Sequence, residues 1–173
     1  MKFQIKEATI KDVDEILKLK KDIWDKLENK EWYVIDGTNK EFLNRELENN
    51  GLILKAISNN KIVGFLIISN YLKKDSFIIQ KLHFEDKTDM CIELSNGAVD
   101  IKYRGNNLYI EMAKIAEEII INRYNKKYIL ATVHPNNMAS LNSLLKIEYK
   151  IICKSKMYGN LDRYILLKKL KSK

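Results

Sequence analysis

The sequence predicts an α/β fold in which six or seven strands are interleaved with helices. Short apolar, β-branched runs alternate with stretches whose apolar residues recur every three or four positions, in the order β-α-α-β-β-β-α-β-α-β-β. The hydrophobic fraction is 46% over 173 residues, enough for one domain to bury about 70% of its unfolded surface. No linker, repeat or low-complexity stretch divides the chain, so residues 1–173 are expected to form a single domain.

The elements follow in order. Phe3–Ala8 alternates as a strand, and Thr9, with Asp12 three residues on, caps a helix carrying Val13, Ile16, Leu17, Leu19 and Ile23. Trp24 continues that apolar set and is expected in the core. Glu28–Thr38 breaks the periodicity; Asn39–Asn49 resumes it, and Gly51 is expected to end that helix in a left-handed cap. Leu52–Ile57 and Ile62–Ser69 form a hairpin, with Asn59 and Asn60 supplying a left-handed turn. Tyr71–Met90 reads as a long irregular loop holding a short strand around Phe77–Ile79. Cys91–Ile101 is the next strand, with Gly97 inside it marking a bulge or a close approach. A helix over Asn106–Tyr124, a strand over Tyr128–Val133 and a helix over Asn137–Ile147 follow, and the hairpin of Lys150–Lys156 with Arg163–Leu170 closes the chain.

Composition narrows the function classes. Cys91 and Cys153 are isolated, and two histidines are too few for a metal cage, so no metal is expected. A nucleophilic cysteine would need His83 or His134 beside it; burial of both thiols is the simpler reading. The N-terminus lacks a signal core and no apolar run reaches 18 residues, so a cytoplasmic protein is expected, as a monomer or homodimer. The net charge of +8 splits as −2 over residues 1–50, +1 over 51–124 and +9 over 125–173. That basic third suits cofactor phosphates or RNA, but its charges are nearly all Lys and no aromatic RNA-binding signature accompanies them.

Residues 99–110 carry the chemistry. They read Val-Asp-Ile-Lys-Tyr-Arg-Gly-Asn-Asn-Leu-Tyr-Ile, a strand end passing through one Arg-Gly step into a helix. A helix N-terminus offers unpaired amides and a positive partial charge, a ready site for phosphate. The pair alone could equally be a surface turn. A nucleotide P-loop or dinucleotide fingerprint needs residues absent here. The stretch resembles the acetyl-CoA signature of the GNAT superfamily of N-acetyltransferases, Arg/Gln-x-x-Gly-x-Gly/Ala, with Arg104 matching and Asn107 and Tyr109 standing where small residues belong. A second block from Thr132 resembles that family's Asn-x-x-Ala-x-x-x-Tyr-x-Lys-x-Gly-Phe, with Asn137, Lys146 and Tyr149 fitting, Leu144 in place of the Tyr and Glu148 in place of the Gly.

This resemblance implies a mixed central sheet of six or seven strands with helices on both faces, and a cleft where the fourth and fifth strands splay apart. It implies that the backbone of Arg104, Gly105, Asn106, Asn107, Leu108 and Tyr109 holds the pyrophosphate of acetyl-CoA, aided by the Arg104 side chain. Gly97, Ala98 and Val99 would pair with the pantetheine arm, and the Gly97 N–H would face the thioester oxygen. Asn137 reads as a helix cap or a cofactor contact. Glu93, four residues before Gly97 on the same side of a regular strand, is a candidate base or a structural carboxylate. Tyr158 and Ser143 are weak candidates to replace the missing Tyr acid. Trp32, Tyr33 and Asp36, in the first helical connection, are candidates for the amine-acceptor wall. Two further readings stay open at this point: a non-catalytic acyl-CoA-binding module, and a small basic RNA-binding protein.

Overall fold

In the computed structural model, which describes residues 2–34, 37–49 and 51–171, seven strands form one sheet. They are β1 (Gln4–Glu7), β2 (Leu52–Ser58), β3 (Lys61–Ser69), β4 (Cys91–Val99), β5 (Tyr128–Val133), β6 (Lys150–Met157) and β7 (Leu161–Lys169). Their order is β1-β2-β3-β4-β5-β7-β6. The pairings are antiparallel except that of β4 with β5, which is parallel. The helices are α1 (Val13–Asp25), α2 (Lys40–Glu48), α3 (Phe77–Leu82), α4 (Leu108–Ile119) and α5 (Met138–Lys146).

Local chemistry starts the first two helices where the pattern predicts. The Thr9 N–H donates to Asp12 Oδ2 at 2.7 Å, fixing the entry to α1, and Asn39 accepts the Phe42 N–H at the start of α2. Asn59 and Asn60 take φ of 49° and 58° in the β2–β3 turn. Alternate strand residues then choose a face. Ile53, Phe65 and Ile67 pack under α1 and α2 with Ile16, Leu19 and Leu43. Leu54, Leu66, Leu94 and Ala131 pack under α4 and α5 with Met112, Ala116, Leu141 and Leu144. Each buried Leu, Ile, Met or Phe among them contributes about 1.5–3 kcal/mol, so a one-residue slip in register would be strongly opposed.

Four expectations are corrected. The apolar run at Phe77–Ile79 belongs to helix α3, not a strand. Ile78 and Ile79, with Leu82 one turn on, pack on Cys91, Leu130 and Ile165, and three apolar residues alone cannot distinguish the two periods. Gly51 does not take a left-handed φ. A Cβ there would lie 2.5 Å from Glu46 Oε2 and 2.7 Å from the Glu46 carbonyl, so glycine is needed for the chain's tight passage over buried Glu46. The long helix begins at Leu108 and widens into a π turn over Ile120–Tyr124. Trp24 is half-buried, with the Lys30 ammonium 4.4 Å from its ring centroid.

The feature that positions the site is the parting of β4 from β5. The two pair over Cys91–Leu94 and Tyr128–Ala131 only, while β4 continues to Val99. Residues 95–99 thus present a backbone edge with no strand on that side. Just where the parting begins, β4 bulges against β3: Leu94 faces Ile68 and Asn96 faces Ile67, leaving Ser95 as the extra residue. The Ser95 hydroxyl, 3.0 Å from Ser69 Oγ, fastens the bulge to β3.

Candidate active site

The opening between β4 and β5 is a cavity of about 680 Å³. It brings together Glu93 and residues 94–99 of β4, the loop and first turn of α4, Thr132 of β5, the start of α5, and Tyr158 and Arg163 of the closing hairpin. Trp32, Tyr33 and Thr38 close it from the α1–α2 connection. Of the residues expected at the site, Asn106 does not line the cavity. Its side-chain amide donates to the Tyr103 and Arg104 carbonyls at 3.1 and 3.3 Å and ties the loop together. Asp36 lies outside the described residues.

The loop before α4 is shaped by two left-handed residues, Gly105 at φ +80° and Asn107 at φ +56°. No atom comes within 4 Å of a Cβ placed on Gly105, so its glycine serves the turn and not a crowded contact. Asn107 occupies the cap position of α4 but its side chain makes no capping bond. The first amides of α4 thereby remain available beside the positive end of the helix. Arg104 Nε donates to the Val99 carbonyl at 3.2 Å, anchoring the guanidinium at the end of β4 beside those amides. The Val99 carbonyl, expected to face a ligand, is therefore engaged by the chain's own arginine.

The bulge changes how β4 presents its residues. It falls at Ser95, not at Gly97, and reverses the alternation between Glu93 and Gly97. Leu94 and Val99 pack in the cluster under α4, whereas Ala98 packs in the cluster under α1 and α2. A Cβ on Gly97 would lie 2.7 Å from Leu66 Cδ1 and 3.1 Å from Tyr109 Cε2, on the α4 side. Tyr109 thus occupies the space beside Gly97. Glu93, next to Leu94, faces the other way, toward the side of α2 with its buried Glu46. The expectation that Glu93 and Gly97 share one side is corrected by this single extra residue.

Burial, reinforced by the Glu46 carboxylate, pushes the Glu93 carboxyl up to about 7, while part of the side chain stays open to the cavity. Glu46 is raised as well, by its own burial, against the Arg45 guanidinium 3.9 Å away. Tyr158, in a left-handed turn at φ +50°, places Oη 3.0 Å from Thr132 Oγ1. Its phenol is raised by burial and by Glu93, so it keeps its proton in neutral solution. Ser143 donates to the Ala139 carbonyl at 2.8 Å, which commits its hydroxyl hydrogen within α5. Leu144, where the resemblance calls for Tyr, is buried among the core residues under α5.

Three polar contacts hold the α1–α2 connection over the cleft. Asn96 accepts from the Tyr33 hydroxyl and donates to Thr38 Oγ1 at 3.1 Å, and Asn137 Nδ2 points at the Trp32 carbonyl, 3.5 Å away. Asn137 Oδ1 accepts the Ser140 N–H at 3.2 Å, so its capping role is realised. Sequence reasoning missed Asn96, Thr132 and Arg163. For Arg163 a signal existed: it stands two residues before Ile165 in the alternation of β7, an inward position for a charge. For Asn96 there was none, because the bulge decides its face. Cys91 donates to the Lys87 carbonyl at 3.3 Å and burial pushes its thiol up to about 11, which removes it as a nucleophile at neutral pH. Among the described residues no group of three or more His, Cys, Asp or Glu converges to hold a metal, and no helix is long and apolar enough to cross a membrane.

No family model matches the sequence, and no curated protein does. Solved structures match along nearly the whole chain. A GNAT-family acetyltransferase from Streptococcus pneumoniae aligns at 20% identity and TM-score 0.76, covering 98% of this chain and 100% of the other. The PaiA N-acetyltransferase of Thermoplasma acidophilum, in complex with coenzyme A, aligns at 17% identity and TM-score 0.70, covering 98% and 99%. YncA of Salmonella typhimurium, a putative acetyltransferase with its cofactor acetyl-CoA, aligns at 15% identity and TM-score 0.70, covering 100% and 96%. The seven-stranded mixed sheet flanked by helices, with its parallel β4–β5 pair, thus has the GNAT acetyltransferase fold.

Proposed function

We propose that this chain transfers an acetyl group from acetyl-CoA to a primary amine, by direct attack with both reactants bound. The observation that carries the reading is the single cavity uniting the free edge of β4, the uncapped N-terminus of α4 and the Asn137 end of α5. A diphosphate is matched by the α4 amides with Arg104, and Lys146 adds a second cation on the cavity wall. The unpaired edge of residues 95–99 suits an extended amide-bearing arm. The thioester supplies the activated acetyl group.

The chain's own residues supply the rest. An alkyl amine has a pKa near 10.4 and arrives protonated, so a base must accept its proton. Glu93, held near 7 inside the cleft, is matched to that task in neutral solution. The Gly97 N–H is the proposed donor to the developing oxyanion, a preorganised contact that contributes a few kcal/mol in such sites. Tyr158 holds a proton at Oη for the departing sulfur, and Thr132 orients that hydroxyl. Trp32 and Tyr33 form the acceptor wall. Two unpaired thiols, Cys91 and Cys153, fit a reducing compartment, which we take to be the cytoplasm.

A thermal-shift comparison of acetyl-CoA, CoA, ATP and a short RNA tests this reading together with thiol release over an amine panel. Stabilisation by both CoA species and thiol release with at least one amine are expected. Stabilisation by acetyl-CoA without thiol release would leave an acyl-CoA-binding module. A shift with RNA alone would return the chain to the basic binding protein its composition permits, although Lys154 and Lys156 already share Asp162 at 3.1 and 2.9 Å.

A further inference from the structure

Arg163 is a strong charge on the cavity wall that the proposed reaction leaves unused. It lines the cavity yet is only 3% exposed. Its Nη1 donates to the Asp162 carbonyl and its Nη2 to the Glu31 carbonyl, each at 2.7 Å, and the guanidinium lies 5.4 Å from the Tyr158 ring centroid. No carboxylate lies within 4 Å of it among the described residues. The two nearest in influence are engaged elsewhere: Asp162 with Lys154 and Lys156, and the exposed Glu31 beside His134 Nε2 at 3.8 Å. His134 is itself shifted toward its neutral form by burial and by Arg163, so it does not compete for an anion.

A buried guanidinium held by two carbonyl dipoles and an aromatic face, with no carboxylate beside it, carries a desolvation cost that an anionic group would offset. It has five N–H donors in a planar fork, and two of these contacts leave others directed elsewhere. A second donor is also unsatisfied. Trp32 Nε1 is buried on the cavity wall without an acceptor among the described residues, and Trp32 follows Glu31, whose carbonyl binds Arg163. Strand alternation puts Arg163 on the same face of the sheet as Glu93 and Thr132: Ile165 and Leu130 share the cluster around Cys91, two residues from Arg163, Thr132 and Glu93 respectively. The base and the guanidinium therefore line one cavity from the same face, and Tyr158, its ring 5.4 Å from the guanidinium, lines it with them.

We infer that the acceptor is an amine bearing a separate anionic group, a carboxylate or a phosphate, which binds Arg163 and Trp32 Nε1 while the amine meets Glu93. This rests on the acetyltransferase reading and adds its substrate class. Arg163 would then be a specificity-determining residue. Bidentate recognition by a preorganised, dehydrated guanidinium is worth about tenfold to a hundredfold in discrimination.

The test uses matched amines on the full-length protein saturated with CoA. Glycine, 4-aminobutyrate and 6-aminohexanoate are compared with methylamine, propylamine and pentylamine, and O-phosphoethanolamine with ethanolamine. Melting temperature is read for each, and KM by thiol release with acetyl-CoA. At least one anionic member should raise the melting temperature and show a KM tenfold or more below its neutral partner; whichever arm responds identifies carboxylate or phosphate. Arg163→Gln should erase that difference while keeping the stabilisation by CoA itself, and Arg163→Lys should restore part of it. Equal responses within every pair of the wild-type protein, including no response, overturn the inference, as does discrimination that survives Arg163→Gln. Loss of the CoA shift in the wild-type protein would instead overturn the acetyltransferase reading.

Discussion

In the proposed acetyl transfer Glu93 is the base and Arg104 a diphosphate contact, and each role makes a separable prediction. The folded protein holds the Glu93 proton up to about 7, whereas an unfolded chain releases it near the ordinary 4.5. The bound proton therefore favours folding at low pH, and this contribution is lost as the pH rises from about 4.5 to 7. Glu93→Gln has no such proton to lose. It should be more stable than the wild type at pH 8, by about 1–3 kcal/mol, and nearly matched at pH 5. The same variant should lose 10²-fold or more in kcat, along with the rise in rate near pH 7. Equal melting differences at both pH values would place Glu93 in a solvated position. Charge reversal at Arg104 should weaken CoA at least tenfold in calorimetry, since it opposes the diphosphate and also releases the Val99 carbonyl; unchanged affinity would refute its role. At this scale the sequence was partly legible. Arg104 and Gly105 announced themselves by a strand-to-helix junction, but Glu93 was placed on the wrong side relative to Gly97, because one unpaired serine reverses the count.

Among the elements, β4 does most to build the site. Its first half pairs with β5, its second half stands free, and the Ser95 bulge separates the two. The outcome for Asn96 follows directly: it faces the α1–α2 connection and holds Tyr33 and Thr38 over the cleft. Asn96→Ala should speed amide hydrogen exchange at Tyr33 and Thr38 and raise the acceptor KM several-fold while leaving CoA affinity intact; unchanged exchange would show these residues to be held by other contacts. Helix and strand periods were legible where apolar residues recurred over several turns, as in α1 and α4. They were not in α3, where three adjacent apolar residues fit either period and only packing against Cys91 and Ile165 decides. Gly51 shows the same limit: a glycine after a helix signals a left-handed cap, while here it signals a backbone pressed against Glu46.

The whole molecule joins two halves of a site that lie far apart in the sequence. The Arg-Gly junction and the Asn137 block reach the same cavity because β5 runs parallel to β4 and carries α5 to the mouth of the cleft. That convergence was legible only through the resemblance of two imperfect motifs, since neither is decisive alone. The acceptor end was less so, because Arg163, Thr132 and Trp32 come together from three elements with no shared motif. The basic C-terminal third resolves into distinct uses: Lys168 pairs with Glu117 at 2.6 Å, Lys154 and Lys156 hold Asp162, and Arg163 turns inward. On the proposed reading this cavity holds acetyl-CoA along the free edge of β4. In a crystal structure of the protein with CoA, the diphosphate is then expected on the amides at the start of α4 beside Arg104, and the pantetheine arm between β4 and β5 with its sulfur near Gly97. CoA bound elsewhere, or a cleft still empty at saturating CoA, would contradict it.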